Sequence, residues 1–352
     1  MVVSIRQTPI TCNGHTRPVV DLQFAGETDC GPLLITASKD GKAMLRTGDT
    51  GDWIGTFNGH KGAVWCCALN AKGTRAATGA ADFSAKFWNV DNGLELLSIP
   101  QNHIVRAVDL SKTDGGGRLL TANNKQEVLI YDLHAPETLL ILTCMPWVIL
   151  AICSFAGHKK IIRRCLWMDN DKRILTITDN KDVGLWDVLN GSETAEPVWK
   201  VTLQDCPMDA QVWSSDGTSV KVIVASGKNV LVYEFDFRHS TFDALETPCL
   251  TCTLPAPVYS ASLNPVGDMV VCGCEDSLIN RLSAQSGDIL ETCRGHFGPV
   301  HCVRFSPDGH LYASGSEDGT VRLWQTKAGE VYGLWRSGPS APPVDTTSTC
   351  VH

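Results

Sequence analysis

The sequence predicts an all-β fold, a seven-bladed β-propeller, and three observations support this prediction. A Gly-His pair recurs at Gly14-His15, Gly59-His60, Gly157-His158 and Gly295-His296, with Asn102-His103 as a degenerate copy. Alternating apolar and polar residues follow each pair, as is typical of half-buried strands. Two further copies, near 204 and 254, keep the strands without the pair. The repeats therefore start near residues 14, 59, 102, 157, 204, 254 and 295.

The last repeat shows how one unit is built. The stretches 300–305, 311–316 and 320–324 have strand patterns, and Ser306-Pro307-Asp308-Gly309 and Glu317-Asp318-Gly319 have the turn residues that separate them. A period of about 40–45 residues with Gly-His and Trp-Asp signals is typical of WD40 repeats. The full prediction is therefore a seven-bladed WD40 β-propeller.

The phase of the repeat indicates how the ring closes. The outer strand before His15 has no blade of its own, so we expect residues 5–12 to complete the seventh blade. This closure would remove two exposed sheet edges. Residues 330–335 resemble an outer strand and compete for the same position. We expect one propeller over residues 1–336 and a short mobile tail, rich in Pro, Ser and Thr, over 337–352.

Composition narrows the function class. The 352 residues are 43% hydrophobic and 19% charged, with a net charge of −8, so no broad basic face is available and we expect no direct nucleic-acid binding. The chain holds 15 cysteines but begins without the apolar core of a signal peptide. We therefore expect reduced thiols, as in cytoplasm and nucleus.

An uncharged stretch, TLLILTCMPWVILAICSFAGH, runs from 138 to 158 and has the length of a membrane span. Pro146 lies in its middle, it ends in a Gly-His pair, and the repeats continue on both sides. We therefore predict no membrane span and place an insertion between blades here.

Two repeats carry the same four polar residues at the same spacing. These are His60, Thr78, Asp82 and Trp88, and His296, Ser314, Asp318 and Trp324. A hydroxyl, an imidazole and a carboxylate invite comparison with a hydrolase triad. Because the set repeats around the ring, we interpret both as structural tetrads in which the four side chains satisfy one another. We predict no catalytic residue.

Cofactor and metal motifs are not convincing in this chain. No phosphate-binding glycine loop and no His-Glu-x-x-His motif is present. Cys249, Cys252, Cys272 and Cys274 have a spacing that a zinc site would allow, but cysteine is also a common small buried residue. We predict neither a cofactor nor a metal.

Binding in a propeller is left to loops and ring faces, because the strands bury their sides. Residues just after each Gly-His segment open near the central channel, and Arg and aromatic side chains are favoured interface anchors. The candidate partner face consists of Arg17, Lys61, Trp65, Arg106, Arg163, Tyr259, Phe297 and His301. The alternative for Trp65 and Tyr259 is packing between blades.

Three segments carry a resemblance to a known family. Residues 6–12 (RQTPITC) leading into 14–22, residues 48–65, and the run from Gly295 through 332–335 resemble the serine/threonine kinase receptor-associated proteins, also called unr-interacting proteins. The resemblance covers all seven repeats and thins between about 138 and 285. It departs from the family at the apolar stretch 139–155 and in the absence of an acidic C-terminal extension.

The resemblance implies a non-catalytic adaptor of cytoplasm and nucleus, a monomeric propeller within a larger complex. Its implied partners are Gemin subunits of the survival-of-motor-neuron complex, which supports spliceosomal small nuclear ribonucleoprotein assembly and mRNA splicing. Transforming-growth-factor-β receptors and the inhibitory Smad, whose signal the family restrains, are also implied. Two alternatives stay open: a scaffold like the propeller subunit of translation initiation factor three, and a propeller enzyme using His60 or His296.

Overall fold

The computed structural model describes residues 7–26, 28, 31–133, 153–155, 160–188, 196–214, 219–237 and 247–328, with 153–155 described as backbone. These residues form seven four-stranded antiparallel sheets. Each sheet is one blade of a propeller, and the predicted fold class is confirmed. We number the strands along the chain and the blades by their inner strands.

The first three blades follow the chain without exchange of strands. Blade 1 contains β2 (Val19–Phe24), β3 (Leu33–Ser38), β4 (Ala43–Thr47) and β5 (Trp53–Phe57). Blade 2 contains β6 (Val64–Leu69), β7 (Arg75–Ala80), β8 (Ser84–Asn89) and β9 (Glu95–Pro100). Blade 3 contains β10 (Val105–Leu110), β11 (Arg118–Asn123), β12 (Val128–Asp132) and β13 (Cys153–Phe155).

The next three blades repeat this order. Blade 4 contains β14 (Ile162–Met168), β15 (Arg173–Thr178), β16 (Asp182–Asp187) and β17 (Trp199–Thr202). Blade 5 contains β18 (Pro207–Ser214), β19 (Ser219–Ser226), β20 (Asn229–Asp236) and β21 (Leu250–Thr253). Blade 6 contains β22 (Val258–Leu263), β23 (Met269–Cys274), β24 (Leu278–Ser283) and β25 (Ile289–Arg294).

Blade 7 is assembled from both ends of the described chain. It contains β26 (Val300–Phe305), β27 (Leu311–Ser316) and β28 (Val321–Gln325), and β1 (Ile10–Cys12) lies outermost. In this pairing Ile10 faces Leu323 and Cys12 faces Val321. The Gln7 side-chain amide extends it, donating to the Gln325 carbonyl at 2.8 Å and accepting from the Gln325 amide at 2.7 Å. An N-terminal strand thus closes the ring; residues 5, 6 and 330–335 lie outside the described residues.

The core lies between the faces of neighbouring blades. One cluster joins Ile35 and Leu45 of blade 1 to Val64 and Trp88 of blade 2. Val105, Val300 and Val19, which each begin an inner strand, are fully buried and pack on the preceding blade, where Gly79, Gly273 and Gly315 leave room for them. Because each blade buries one face against each neighbour, no blade has a complete core of its own.

Among the described residues, no helix is long and apolar enough to cross a membrane. The uncharged stretch 138–158 contributes β13, which pairs with β12 through Phe155 opposite Val128. Residues 138–152 and 156–158 of that stretch lie outside the described residues, so the insertion between blades stays a prediction.

Candidate functional site

Each of the seven inner strands carries a β-bulge at its second residue. The pairing register with the neighbouring strand shifts between the first and third residues of the inner strand in every blade. A bulge leaves one residue out of the ladder and turns its side chain in a new direction. The seven bulge residues, which we call the bulge ring, are Val20, Trp65, Arg106, Arg163, Met208, Tyr259 and His301.

The bulge ring lines one end of the central channel. All seven residues surround a cavity of about 190 Å³, together with Lys39 from the turn after β3. We call this end the top mouth, because the inner strands start there. A site whose wall takes one residue from every blade exists only when the ring is complete.

Aromatic and cationic side chains contact one another within the top mouth. The Arg106 guanidinium stacks over the Trp65 ring, 4.0 Å from the ring centre, and the Lys39 ammonium lies 5.8 Å from the same centre. The rings of Tyr259 and His301 lie 5.5 Å apart. Cation–π contacts of this kind fix the direction of long side chains.

Most charged groups at the top mouth already have partners. His301 Nε2 lies 2.6 Å from the Glu317 carboxylate, which Lys39 also approaches at 3.6 Å. Arg163 forms an ion pair with Asp179. Among the described residues, Arg106 makes no hydrogen bond or ion pair. Burial, followed by the neighbouring Arg163, lowers the pKa of Arg106 from its usual value.

Five residues of the candidate partner face belong to the bulge ring: Trp65, Arg106, Arg163, Tyr259 and His301. The other three, Arg17, Lys61 and Phe297, do not line the cavity. The Lys61 amide donates to Asp82 at 2.9 Å, and the Phe297 side chain is 90% exposed.

Sequence reasoning missed Val20, Met208 and Lys39 in the top mouth. The signal for the first two was available, because both stand second in an inner strand, directly after the buried residue that starts it. Lys39 lies on a turn and has no such register.

Below the top mouth, a buried charge network crosses the channel. Arg164 of β14 donates to Asp21 of β2 at 2.5 and 2.9 Å and to Asp209 of β18 at 2.8 Å. Arg304 of β26 donates to Asp209 at 2.7 and 2.9 Å. Ser260 of β22 also donates to Asp209. The network was not foreseen from the sequence, and it connects five blades.

Opposite charges in this network hold Arg164 and Asp209 ionised. Burial alone would lower the pKa of Arg164, but Asp21 and Asp209 outweigh it and raise that pKa well above the usual range. Burial would raise the pKa of Asp209, but Arg304 and Arg164 hold it far below its usual value. Two carboxylates and two guanidiniums make the network neutral overall.

The network separates the top mouth from a larger cavity at the opposite end, which we call the bottom mouth. Its volume is about 550 Å³, and residues near the ends of the inner strands line it, including Phe24, Trp167 and Phe305. Within it Lys112 forms an ion pair with Asp109 at 2.9 Å.

Both tetrads come together around a buried hydroxyl. In blade 2, His60 Nδ1 lies 2.9 Å from Asp82, His60 Nε2 lies 2.7 Å from the Thr78 hydroxyl, and Trp88 Nε1 donates to that hydroxyl at 2.8 Å. In blade 7 the corresponding distances from His296 to Asp318 and Ser314 are 3.0 and 2.7 Å, and Trp324 donates to Ser314 at 2.9 Å.

The protonation of the tetrads follows from their geometry. Burial lowers the pKa of His60 and of His296, against the raising effect of Asp82 and of Asp318, so both imidazoles are neutral at pH 7. Nδ1–H donates to the carboxylate, and Nε2 accepts from the hydroxyl. Thr78 and Ser314 are fully buried, so neither hydroxyl can reach a substrate.

Other blades carry reduced versions of the tetrad. In blade 1, His15 contacts Asp40 and Thr36 at 2.9 Å each, and Arg46 donates to the Gly51 carbonyl at 3.1 Å. In blade 4, Trp186 donates to Thr176 at 2.8 Å.

In blade 3, the histidine of the degenerate Asn102-His103 pair does not occupy the tetrad position. Gln101, not His103, reaches the tetrad position, and its amide donates to the Tyr131 hydroxyl at 2.9 Å and to Thr121 at 3.4 Å. His103 instead packs on Phe83, with ring centres 5.2 Å apart.

The cysteines of the described residues are free thiols. Burial raises the pKa of Cys252, of Cys272 and, to about 11, of Cys274, which disfavours the thiolate form that metals and electrophiles require. No group of three or more His, Cys, Asp or Glu side chains is placed to hold a metal ion within the described ranges.

Known proteins resemble this chain over nearly its whole length. The model of the WD domain, G-beta repeat, matches residues 51–89 and 287–325. The serine-threonine kinase receptor-associated protein of Mus musculus is 45% identical over 95% of this chain and 87% of its own length, and that of Dictyostelium discoideum is 33% identical over 90% and 98%. Subunit I of eukaryotic translation initiation factor 3 from Culex quinquefasciatus is 29% identical over 90% and 95%.

None of these relatives is named as an enzyme, and repeats of this kind form scaffolds for other proteins. The 45% identity to the Mus musculus protein over most of both chains, together with seven four-stranded blades, shows that the chain belongs to the serine-threonine kinase receptor-associated protein family of WD-repeat proteins.

Proposed function

We propose that this protein is a non-catalytic adaptor that binds protein partners at the top mouth. The observation that carries the proposal is the bulge ring, which brings one side chain from each of seven blades to a single cavity. Trp65, Arg106, Arg163 and Tyr259 are residue types enriched at binding hot spots.

The surroundings of the cavity favour the same use. Phe297 stands beside Arg322, whose guanidinium lies 5.9 Å from the ring centre, and exposes nearly its whole side chain. An exposed aromatic residue near a polar cavity offers apolar contact area at low entropic cost. The neutral charge network below the cavity gives it a rigid floor.

The partners we propose follow the names of the relatives. Those proteins are named for association with serine-threonine kinase receptors, and we propose such receptors, of the transforming-growth-factor-β class, together with the inhibitory Smad. From the family resemblance we also propose Gemin subunits of the survival-of-motor-neuron complex. The protein would then act in cytoplasm and nucleus as one propeller within a larger assembly.

Affinity capture from cells tests this proposal. The tagged protein should recover Gemin subunits and the receptor, and a combined Arg17→Ala, Trp65→Ala and Arg163→Ala variant should lose them while melting like the parent protein. A Leu94→Ala, Leu96→Ala and Leu290→Ala variant removes exposed side chains in or directly before outer strands and serves as the matched control. Retention of every partner by the first variant would place docking elsewhere.

The second candidate is a subunit of the translation initiation machinery. The 29% identity to subunit I of initiation factor 3 over most of both chains favours it. Sedimentation of the tagged protein with small ribosomal subunits, without Gemin subunits in the same capture, would support this candidate over the first.

A further inference from the structure

Arg106 is the one cation of the top mouth that has no anionic partner among the described residues. Its neighbours there are all occupied: Arg163 by Asp179, Lys39 by Glu317, and Arg164 by Asp21 and Asp209. The contact that Arg106 does make, with the Trp65 ring at 4.0 Å, fixes the plane of the guanidinium but leaves its N–H donors unused.

A second donor lies beside it. Trp65 lines the same cavity, and its buried indole N–H has no hydrogen-bond partner within the described part of the chain. Buried donors of this kind are normally satisfied by protein, water or ligand. An acceptor that enters this cavity meets the Arg106 guanidinium, which has no partner of its own among the described residues.

The charge of Arg106 lacks a direct partner at this place. The floor of the cavity contributes no net charge, because Asp21 and Asp209 are balanced by Arg164 and Arg304. The pairs of Arg163 with Asp179 and of Lys39 with Glu317 also cancel. One further carboxylate, Glu275, accepts from the Tyr259 hydroxyl at 3.3 Å, and among the described residues Arg106 forms an ion pair with none of these groups.

We propose that the top mouth binds a partner protein through an extended peptide segment. One anionic side chain of that segment enters the cavity and binds the Arg106 guanidinium. This inference rests on the proposed docking function and specifies its chemistry. A carboxylate or a phosphate presents the acceptor pair that a guanidinium recognises. Burial and the neighbouring Arg163 lower the pKa of Arg106, and the opposite charge of a bound anion offsets both effects.

The cavity is large enough for one side chain but too small for a drug-sized molecule. Its volume of about 190 Å³ lies below the roughly 300 Å³ at which sites for drug-sized ligands begin. The charge network closes the floor, so a chain cannot thread through, and the rest of the peptide must run over the rim. There Phe297 and Lys61 are available for neighbouring residues.

Fluorescence anisotropy with three labelled peptides tests the proposal. They share a Gly-Ser backbone and differ at the centre, which is phosphoserine, glutamate or glutamine. We expect at least one of the two anionic peptides to bind more tightly than the glutamine peptide, with an affinity that falls as salt is added. Comparing phosphoserine with glutamate identifies the source of the anion.

Variants decide whether Arg106 is responsible. Arg106→Gln should weaken peptide binding about tenfold or more. Arg106→Lys should retain only part of the parent affinity, because lysine keeps the charge but lacks the planar pair of N–H donors. Lys72→Gln removes one charge from the exposed turn that follows β6, at the opposite end of that inner strand, and should bind like the parent protein.

Equal binding of all three peptides by the parent protein, or unchanged binding by Arg106→Gln, would overturn the inference. The same Arg106→Gln protein is also used for affinity capture from cells. If it binds the anionic peptides normally and the Arg17, Trp65 and Arg163 variant still loses its partners, docking stands and only the anion site fails. If that triple variant keeps every partner, the docking function itself fails.

Discussion

At the scale of single residues, one hydroxyl holds each tetrad together. Thr78 accepts from Trp88 and donates to His60, all within a fully buried environment. Thr78→Val keeps the shape but leaves the Trp88 donor and the His60 acceptor unsatisfied. We expect the free energy of unfolding to fall by about 1–3 kcal/mol, measured by urea denaturation.

The control for this substitution is Thr56→Val. Thr56 accepts from Trp53 at 3.1 Å on the exposed outer strand β5, where water replaces a lost hydrogen bond. It should change stability by less than about 0.5 kcal/mol. Equal effects of the two substitutions would contradict the structural role of the tetrad.

The histidines of the tetrads make stability depend on pH. Burial lowers the folded-state pKa of His15, His60 and His296 below the usual 6.5. The unfolded chain therefore takes up protons first, so stability is complete above about pH 6.5 and falls as the pH drops below it. Urea denaturation between pH 7.5 and 5 should show this loss, and His296→Gln should make it smaller.

Stability that does not change over this range would contradict the neutral histidines. The lowered pKa values of Asp40, Asp82 and Asp318 act in a separate window, below their usual 3.8, and do not obscure the measurement.

The sequence predicted the polar side-chain contacts that recur from repeat to repeat, and it did not predict those that occur once. The spacing from His60 to Thr78 recurs between His296 and Ser314, which indicated the tetrads. Gln101 escaped notice because an amide shares no motif with imidazole, although it reaches the same hydroxyls. Arg164 and Asp21 are 143 positions apart, and no local pattern connects them.

At the scale of elements, neighbouring blades pack through a glycine of one blade and the first residue of the inner strand of the next. An ideal Cβ on Gly79 would lie 2.5 Å from Cγ1 of Val105. Gly79→Ala should therefore force the two blades apart and lower the free energy of unfolding by about 1–3 kcal/mol. Differential scanning calorimetry or urea denaturation measures the change.

Gly55→Ala is the matched control, because a Cβ on Gly55 in the outer strand β5 meets nothing within 4 Å. It should leave stability unchanged or slightly improved, since alanine reduces the freedom of the unfolded chain. A loss equal to that of Gly79→Ala would show that the contact with Val105 is not the cause.

The strands themselves followed from the alternation of apolar residues, whereas the bulges did not. A bulge depends on two strands being out of step by one residue, which is a property of the pair. Five members of the bulge ring were predicted as interface residues because of their residue type. Val20 and Met208 were missed because neither is an Arg or an aromatic residue.

At the scale of the whole molecule, the charge network links blades that do not touch one another. Within the described part of the chain, Arg164→Met would leave Asp21 without an ion-pair partner and Asp209 with Arg304 alone. Breaking one partner out of a buried charge network costs about 3–5 kcal/mol. Urea denaturation should show this loss together with a single cooperative transition at lower denaturant concentration.

Arg75→Met provides the control for this prediction. The Arg75 guanidinium donates to the carbonyl of the preceding residue, Thr74, at 3.0 Å. It should shift the transition little. A small effect of Arg164→Met would show that the network adds no more stability than the methionine packing that replaces it.

The order of the blades was predictable because each repeat can be recognised by its Gly-His pair or its strand pattern. The complete ring was inferred from the count of seven repeats. The strand that closes the ring was placed at residues 5–12, and β1 covers Ile10–Cys12. What lies across the channel was not predictable, because the side chains that meet there come from five different repeats.

The closing strand also determines when the protein can finish folding. Gln7 and Gln325 pair across 318 positions of the chain. At a synthesis rate of about 5–20 residues per second, the N-terminal strand waits roughly 15–60 s for its partner to be made. During that time six blades can stack while Ile10–Cys12 offers an unpaired edge beside the ribosome. A nascent chain of this protein therefore carries an exposed strand until its last blade emerges, and a chaperone that shields strand edges would meet it there.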